Sequence, residues 1–149
     1  MAVTPKQSHR SSALLSHLAR LIRMASEQEL EPLGLRPRHL IALTVMRENG
    51  GVTGQQELAA ELGVDRTNLV GLLNELEAEG LILRRRAAQD RRRHIVELTP
   101  AGKKALVHAE RAMEDLEEEV LGGLAPEERA QLRDLLDRAL SGAPAEQPA

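Results

Sequence analysis

The chain contains no cysteine and no phenylalanine, tyrosine or tryptophan. Without cysteine there is no disulfide framework, no thiol redox switch and no cysteine-based zinc site. Without aromatic rings the core must be built from Leu, Ile, Val, Ala and Met. That palette favours helices, because Leu and Ala form them well and few β-branched residues compete. No apolar run approaches membrane-spanning length, and the N-terminus lacks the charged-then-apolar layout of a signal peptide. The expectation is a soluble, cytoplasmic protein. No Ser/His/Asp order, phosphate-cradling glycine loop or metal-ligand spacing is present, which reads against an enzyme, a metal site or a cofactor.

What is present is an uneven distribution of charge. The net charge is −3 over 149 residues. Six arginines (Arg84, Arg85, Arg86, Arg91, Arg92 and Arg93) and one aspartate, Asp90, crowd residues 84–94 and give that segment +5, so −8 remains elsewhere. Short apolar runs flank the cluster at 81–85 and 94–98, as in a β-hairpin with a basic tip. A basic hairpin on an acidic chain is the footprint of a surface that touches nucleic-acid phosphate.

The length fits one domain with a substantial core. Leu14, Leu15, Leu18, Leu21 and Ile22 recur at helical spacing and predict a helix from Ser11 to about Glu31. A second helix starts near Pro37, buries Leu40, Leu43 and Met46, and ends at Asn49-Gly50-Gly51. Thr53 and Gln56 match a capping box, which predicts a third helix running to about Leu62. Asp65 is suited to cap a fourth that reaches Glu79, with Leu69, Leu72, Leu73 and Leu76 as its core stripe. Thr99-Pro100 launches a long helix to about Leu121. A last helix begins at 125–128, with Leu132, Leu135, Leu136 and Leu140 on one face. The predicted fold is mainly α with a small β-wing: a winged helix-turn-helix flanked by N- and C-terminal helices. Residues 11–140 form the domain, with 36–99 as the DNA-binding lobe and 11–31 and 101–140 as dimerisation helices. Residues 1–10 and 141–149 are expected to be a flexible lead-in and tail. The leucine faces at the two ends want a partner, and a two-fold homodimer supplies one. Leu14, Leu18, Leu21, Leu116, Val120, Leu132, Leu135, Leu136 and Leu140 are its candidate residues.

The strings DRTNLVGLLNELEAEGLILR (65–84) and QDRRRHIVELTPAGKKAL (89–106) resemble the MarR family of winged-helix regulators. Asp90-Arg91-Arg92, followed by a strand and Leu98-Thr99-Pro100-Ala101-Gly102, is the most specific part. The resemblance implies an obligate homodimer, a triangular, mostly helical fold, and repression of nearby genes. It also implies a small anionic or phenolic ligand that releases the DNA.

With the leucines of the fourth helix turned inward, Arg66, Thr67, Asn68, Gly71 and Asn74 are left to face DNA. Arg66 suits guanine and Asn68 adenine, while Thr67 suits a phosphate. Gly71 either leaves room for close approach to the duplex or is a weak spot in the helix. The resemblance assigns Asp90 to bracing the wing and Arg92 to the minor groove. Arg84, Arg85, Arg86, Arg91 and Arg93 are then phosphate contacts or solvated charge. His17, His39 and His108 lie on the helices that line the ligand cleft in this family. With Arg20 and Arg38 they are candidates for an anionic ligand, against the plainer reading of surface or hydrogen-bonded residues. Two other classes fit the same fold: a winged-helix protein-interaction module, and a ligand carrier without a specific DNA site.

Overall fold

A computed structural model of the chain describes residues 10–144. The lead-in at 1–10, apart from Arg10, and the tail beyond 144 lie outside the described residues. Six α-helices and one three-stranded sheet follow in the order α1 (Ser11–Leu30), α2 (Pro37–Glu48), β1 (Val52–Gly54), α3 (Gln55–Leu62), α4 (Arg66–Ala78), β2 (Ile82–Arg86), β3 (His94–Leu98), α5 (Pro100–Val120) and α6 (Pro126–Ser141). Ser141, expected in the tail, is therefore the last helical residue.

Local chemistry sets most of the boundaries. Pro37 occupies the first turn of α2, where its missing N–H costs nothing. Just ahead of it, the backbone N–H of Arg36 donates to Nδ1 of His39 at 3.0 Å. Asp65 caps α4 by accepting the Asn68 N–H at 2.7 Å. Thr99 does two things at once. Its hydroxyl accepts the Gly102 N–H at 3.0 Å and donates to the Gly80 carbonyl at 2.7 Å, which ties the start of α5 to the end of α4. Gly102 lets the two approach, because a Cβ there would stand 2.1 Å from the Leu81 carbonyl oxygen.

The capping box expected at Thr53 and Gln56 does not form. Thr53 lies in β1, a short strand that the apolar pattern does not announce, and α3 is capped by the extended backbone of Gly54 without a side chain. The reason is sheet pairing: β1 runs antiparallel to β3 with Thr53 opposite Val96, which turns the threonine inward. The sheet order is β1-β3-β2, and β2 pairs with β3 so that Ile82 faces Leu98 and Arg86 faces His94. Strand β2 starts one residue later than the pattern suggested.

The core collects Leu30, Leu35, Ala42, Leu43, Met46, Leu58, Leu69, Leu73, Leu76, Ile82, Val96, Leu98 and Leu106 from α1 to α5 and the sheet. Leu40, expected in it, is only half-buried against its edge. Helix α6 contributes no buried residue. Leu135 and Leu140 are 56% and 74% exposed, and Leu14, Leu21 and Met24 leave a second apolar stripe on α1. Leu116 differs from the other candidate dimer residues, being buried within the single chain.

Candidate nucleic-acid interface

Capping by Asp65 fixes the first turn of α4 and leaves Arg66, Thr67 and Asn68 exposed, with Gly71 and Asn74 exposed further along. Not all of these side chains are free. The Asn68 amide Nδ2 donates to the second oxygen of Asp65 at 3.1 Å. Asn74 Oδ1 accepts from Arg84 Nη2 at 2.6 Å, and the same guanidinium donates to Glu77 at 2.9 Å. Glu77 also accepts the backbone N–H of Arg84 at 3.2 Å. The Arg84 hydrogen bond, aided by its charge, holds the Glu77 carboxyl below the usual carboxylate range against the opposing cost of desolvation. Asn74 and Arg84 thus join α4 to the base of the wing.

The wing tip is a built turn. The Arg93 N–H donates to the Asp90 carbonyl at 3.0 Å, and the Ala87 N–H donates to the Arg93 carbonyl at 2.9 Å. The Asp90 carboxylate accepts the Arg92 N–H at 3.0 Å, an aspartate turn of the kind that orders short loops. Arg92 Nε lies 3.5 Å from the same carboxylate, yet its side chain is 94% exposed and stands out from the tip. The other wing arginines are held differently. Arg85 lies 3.6 Å from Glu97 on β3, and Arg93 pairs with Glu57 on α3. Arg86 donates to the Arg91 carbonyl at 3.1 Å. The Arg91 guanidinium has no carboxylate partner among the described residues.

Between wing and helices lies a cleft of about 260 Å³, lined by Gln55, Gln56 and Glu57 of α3, Arg66 of α4, and Arg92, Arg93 and His94 of the wing. Two amide side chains, three arginines and the Glu57 carboxylate line this space, with Arg93 paired to Glu57 and Arg92 standing out at its rim. Sequence reasoning did not find Gln55, Gln56, Glu57 or His94. The adjacent glutamines at the start of α3 were the available signal, being polar residues in the first turn of the helix that precedes α4.

The candidate ligand residues separate into two groups. Arg38 and His39 both reach Glu75 of α4: Arg38 Nη2 lies 2.7 and 2.8 Å from the two carboxylate oxygens, and His39 Nε2 lies 2.7 Å from one of them. The His39 hydrogen bond is the largest influence keeping the Glu75 carboxyl below its ordinary value. His39 also lines a cavity of about 540 Å³ with Glu27, Glu31, Leu35 and Arg36. His17 is half-buried, and Arg20 and His108 are exposed on α1 and α5, where no bond joins them to this group. No cluster of three or more metal-ligating side chains occurs among the described residues.

Residues 33–93, from the turn before α2 to the wing tip, match the MarR family. A putative transcriptional regulatory protein for the hcr operon of Thauera aromatica is 36% identical over 105 residues, 70% of this chain. The chain spans 63% of the length of that relative. The crystal structure of a MarR-family transcriptional regulator from Rhodococcus sp. RHA1 superposes with a TM-score of 0.74 at 28% identity, over 87% of this chain and 94% of that one. The chain belongs to the MarR family. A further structure, CouR from Rhodococcus jostii RHA1 bound to p-coumaroyl-CoA, superposes with a TM-score of 0.70 at 28% identity, over 89% of this chain and 93% of that one. The agreement extends beyond the matched segment to the terminal helices, so the winged-helix architecture and its flanking helices belong to one MarR fold.

Proposed function

We propose that this MarR-family protein is a homodimeric, sequence-specific DNA-binding transcription regulator, and that it represses until a small molecule releases it. The observation that carries the reading is the cleft between wing and helices lined by Arg66 of α4, Arg92 and Arg93 of the wing, and Gln55 and Gln56 of α3. Residues 36–99 form the DNA-binding lobe. Helix α4 enters a major groove with Arg66, Thr67, Asn68, Gly71 and Asn74 toward the bases or their phosphates. The wing sets Arg92, with Arg91 and Arg86 beside it, against the neighbouring minor groove, where a narrow A·T-rich segment concentrates negative potential. Asp90 shapes the tip, while Arg84 and Arg93 hold the wing to α4 and α3 and lend charge to the phosphates.

Residues 11–31 and 101–140 dimerise the protein through Leu14, Leu18, Leu21, Val120, Leu132, Leu135, Leu136 and Leu140, with Leu116 supporting from within the protomer. The uncovered leucines of α1 and α6 favour this assignment, since a lone protomer leaves them in water. Two lobes then meet two half-sites about one helical turn apart. His17, Arg20, Arg38, His39 and His108 are the groups offered to a small anionic or phenolic ligand. No described helix is long and apolar enough to cross a membrane, and the reading places the protein in the cytoplasm with the chromosome.

The test is selection from fragmented genomic DNA, followed by affinity measurements on the enriched site and on scrambled DNA across salt. A near-palindrome preferred by about 10³-fold or more, with a steep salt slope, is the expected result. Weak binding without enrichment would overturn the reading in favour of a protein-interaction module.

A further inference from the structure

Gly71 sits inside α4, on its exposed face, at a position where nothing in the chain asks for a glycine. Five other described glycines take φ between +65° and +87°, and Gly102 has a backbone carbonyl where its Cβ would go. Gly71 has neither reason: it is helical, and a Cβ built on it meets nothing within 4 Å. Glycine is the poorest helix former after proline, so the helix is weakened there without an internal gain. The missing side chain leaves a notch one carbon wide in a polar ridge. Thr67 and Asn68 stand one turn before it, Asn74 and Glu75 one turn after, all exposed. The rims of the notch are fixed, because Asn68 is held by Asp65 and Asn74 by Arg84.

The apolar group that projects into a major groove is the 5-methyl of thymine. We propose that the notch at Gly71 receives the methyl of one thymine in each half-site, which makes Gly71 a specificity-determining residue through what it lacks. The proposal rests on the reading of α4 as the major-groove helix. It predicts complementarity of volume: a methyl added to the protein at 71 is tolerated when a methyl is removed from the DNA opposite it.

The experiment compares wild type, Gly71→Ala and Gly71→Leu on the operator recovered by genomic selection. Each thymine of a half-site is replaced in turn by deoxyuridine. The alanine variant should melt about 2–4 °C higher, because a helix gains and nothing clashes. It should bind the unmodified operator about 10-fold more weakly. At one uridine position it should regain most of that loss, while wild type weakens. The leucine variant, too large for one methyl to compensate, should lose more and recover little. Three results would overturn the proposal: an alanine variant that binds like wild type, no uridine position that rescues it, or a lower melting temperature. If wild type itself prefers no sequence, the major-groove reading fails first and the proposal with it, an outcome distinct from loss of rescue on a true operator.

Discussion

Replacing Glu75 tests how α4 is anchored. The carboxylate faces two partners of different kinds. Arg38 approaches both oxygens, but the two side chains are 52% and 45% exposed, and a solvated pair of that kind contributes about 0.2–1 kcal/mol. The His39 side chain is 9% exposed, and its Nδ1 is committed to the Arg36 N–H, so the neutral ring carries its proton on Nε2 toward Glu75. Removing that acceptor leaves a buried donor unpaired, which costs about 1–3 kcal/mol. Glu75→Ala should therefore destabilise the protein by about 2–3 kcal/mol, and Arg38→Ala by less than about 1 kcal/mol. Glu75→Gln retains an amide oxygen for His39 and should resemble the arginine variant. Urea unfolding at fixed protein concentration reads the differences, the concentration being held because the proposed dimerisation would add to apparent stability. If the alanine and glutamine variants unfold alike, or if losing Arg38 costs as much as losing Glu75, the buried histidine is not the anchor.

The same carboxylate fixes a pH dependence and its sign. The His39 hydrogen bond, with help from Arg38, lowers the Glu75 pKa from its ordinary 4.5 in the folded protein, overcoming desolvation. A depressed carboxylate pKa stabilises the fold fully above the unfolded value and loses that contribution as pH falls through the folded one. The stability gap between wild type and Glu75→Gln should thus be constant near neutrality and shrink below pH 4.5. A gap that widened on acidification would reverse the assignment.

Other perturbations separate the parts of the molecule. Arg92→Ala should weaken operator binding by about 1–3 kcal/mol with the melting temperature unchanged, because the side chain touches little of its own chain; unaltered affinity in a titration would remove the wing from the minor groove. Leu135→Asp should abolish dimerisation and operator binding together, as followed by sedimentation and band shift, and a monomer with full affinity would rule out the two-half-site arrangement. Thr53→Val should stabilise the fold by about 1 kcal/mol, because the buried threonine hydroxyl has no hydrogen-bond partner among the described residues; a drop in the urea midpoint would mean that the hydroxyl is satisfied after all.

What the sequence discloses and what it hides divide along range of interaction. The caps at Asp65 and Thr99, the leucine stripe of α4 and the hairpin are set by residues within one or two turns of each other, and periodicity exposes them. Strand β1 is three residues long and exists because β3, more than forty residues later, supplies its partner. A threonine read locally there is a helix cap, but read with its partner strand it is a core residue. The interface shows the same division. The cluster of arginines is plain in the sequence, whereas the glutamates that restrain them lie on other elements: Glu57 on α3, Glu77 on α4 and Glu97 on β3. His39 and Arg38 suggest a ligand site by residue type, and only the packing of α2 beside α4 reveals that both already hold Glu75.

That restraint changes what the arginine run means. Six guanidinium groups in eleven residues suggest six phosphate contacts, but the fold gives them different work. Arg84, Arg85 and Arg93 each face a glutamate, and Arg86 lies on a backbone carbonyl. The charges of Arg84, Arg85 and Arg93 are locally balanced, so these three contribute less to counterion release than a count of basic residues implies, while Arg86 is held in place with its charge uncompensated. In exchange the three pairs fix the angle between wing, α3 and α4 in the protein alone, ahead of the proposed encounter with DNA. Binding then has less side-chain freedom to freeze, which is how preformed sites gain affinity without added contacts. The field at the tip is left to Arg86 and Arg91, and to an exposed Arg92 only loosely held by Asp90, with Arg66 across the cleft. In the proposed function specificity depends on where a few charges are held rather than on their number, which reconciles a DNA-reading surface with an acidic chain.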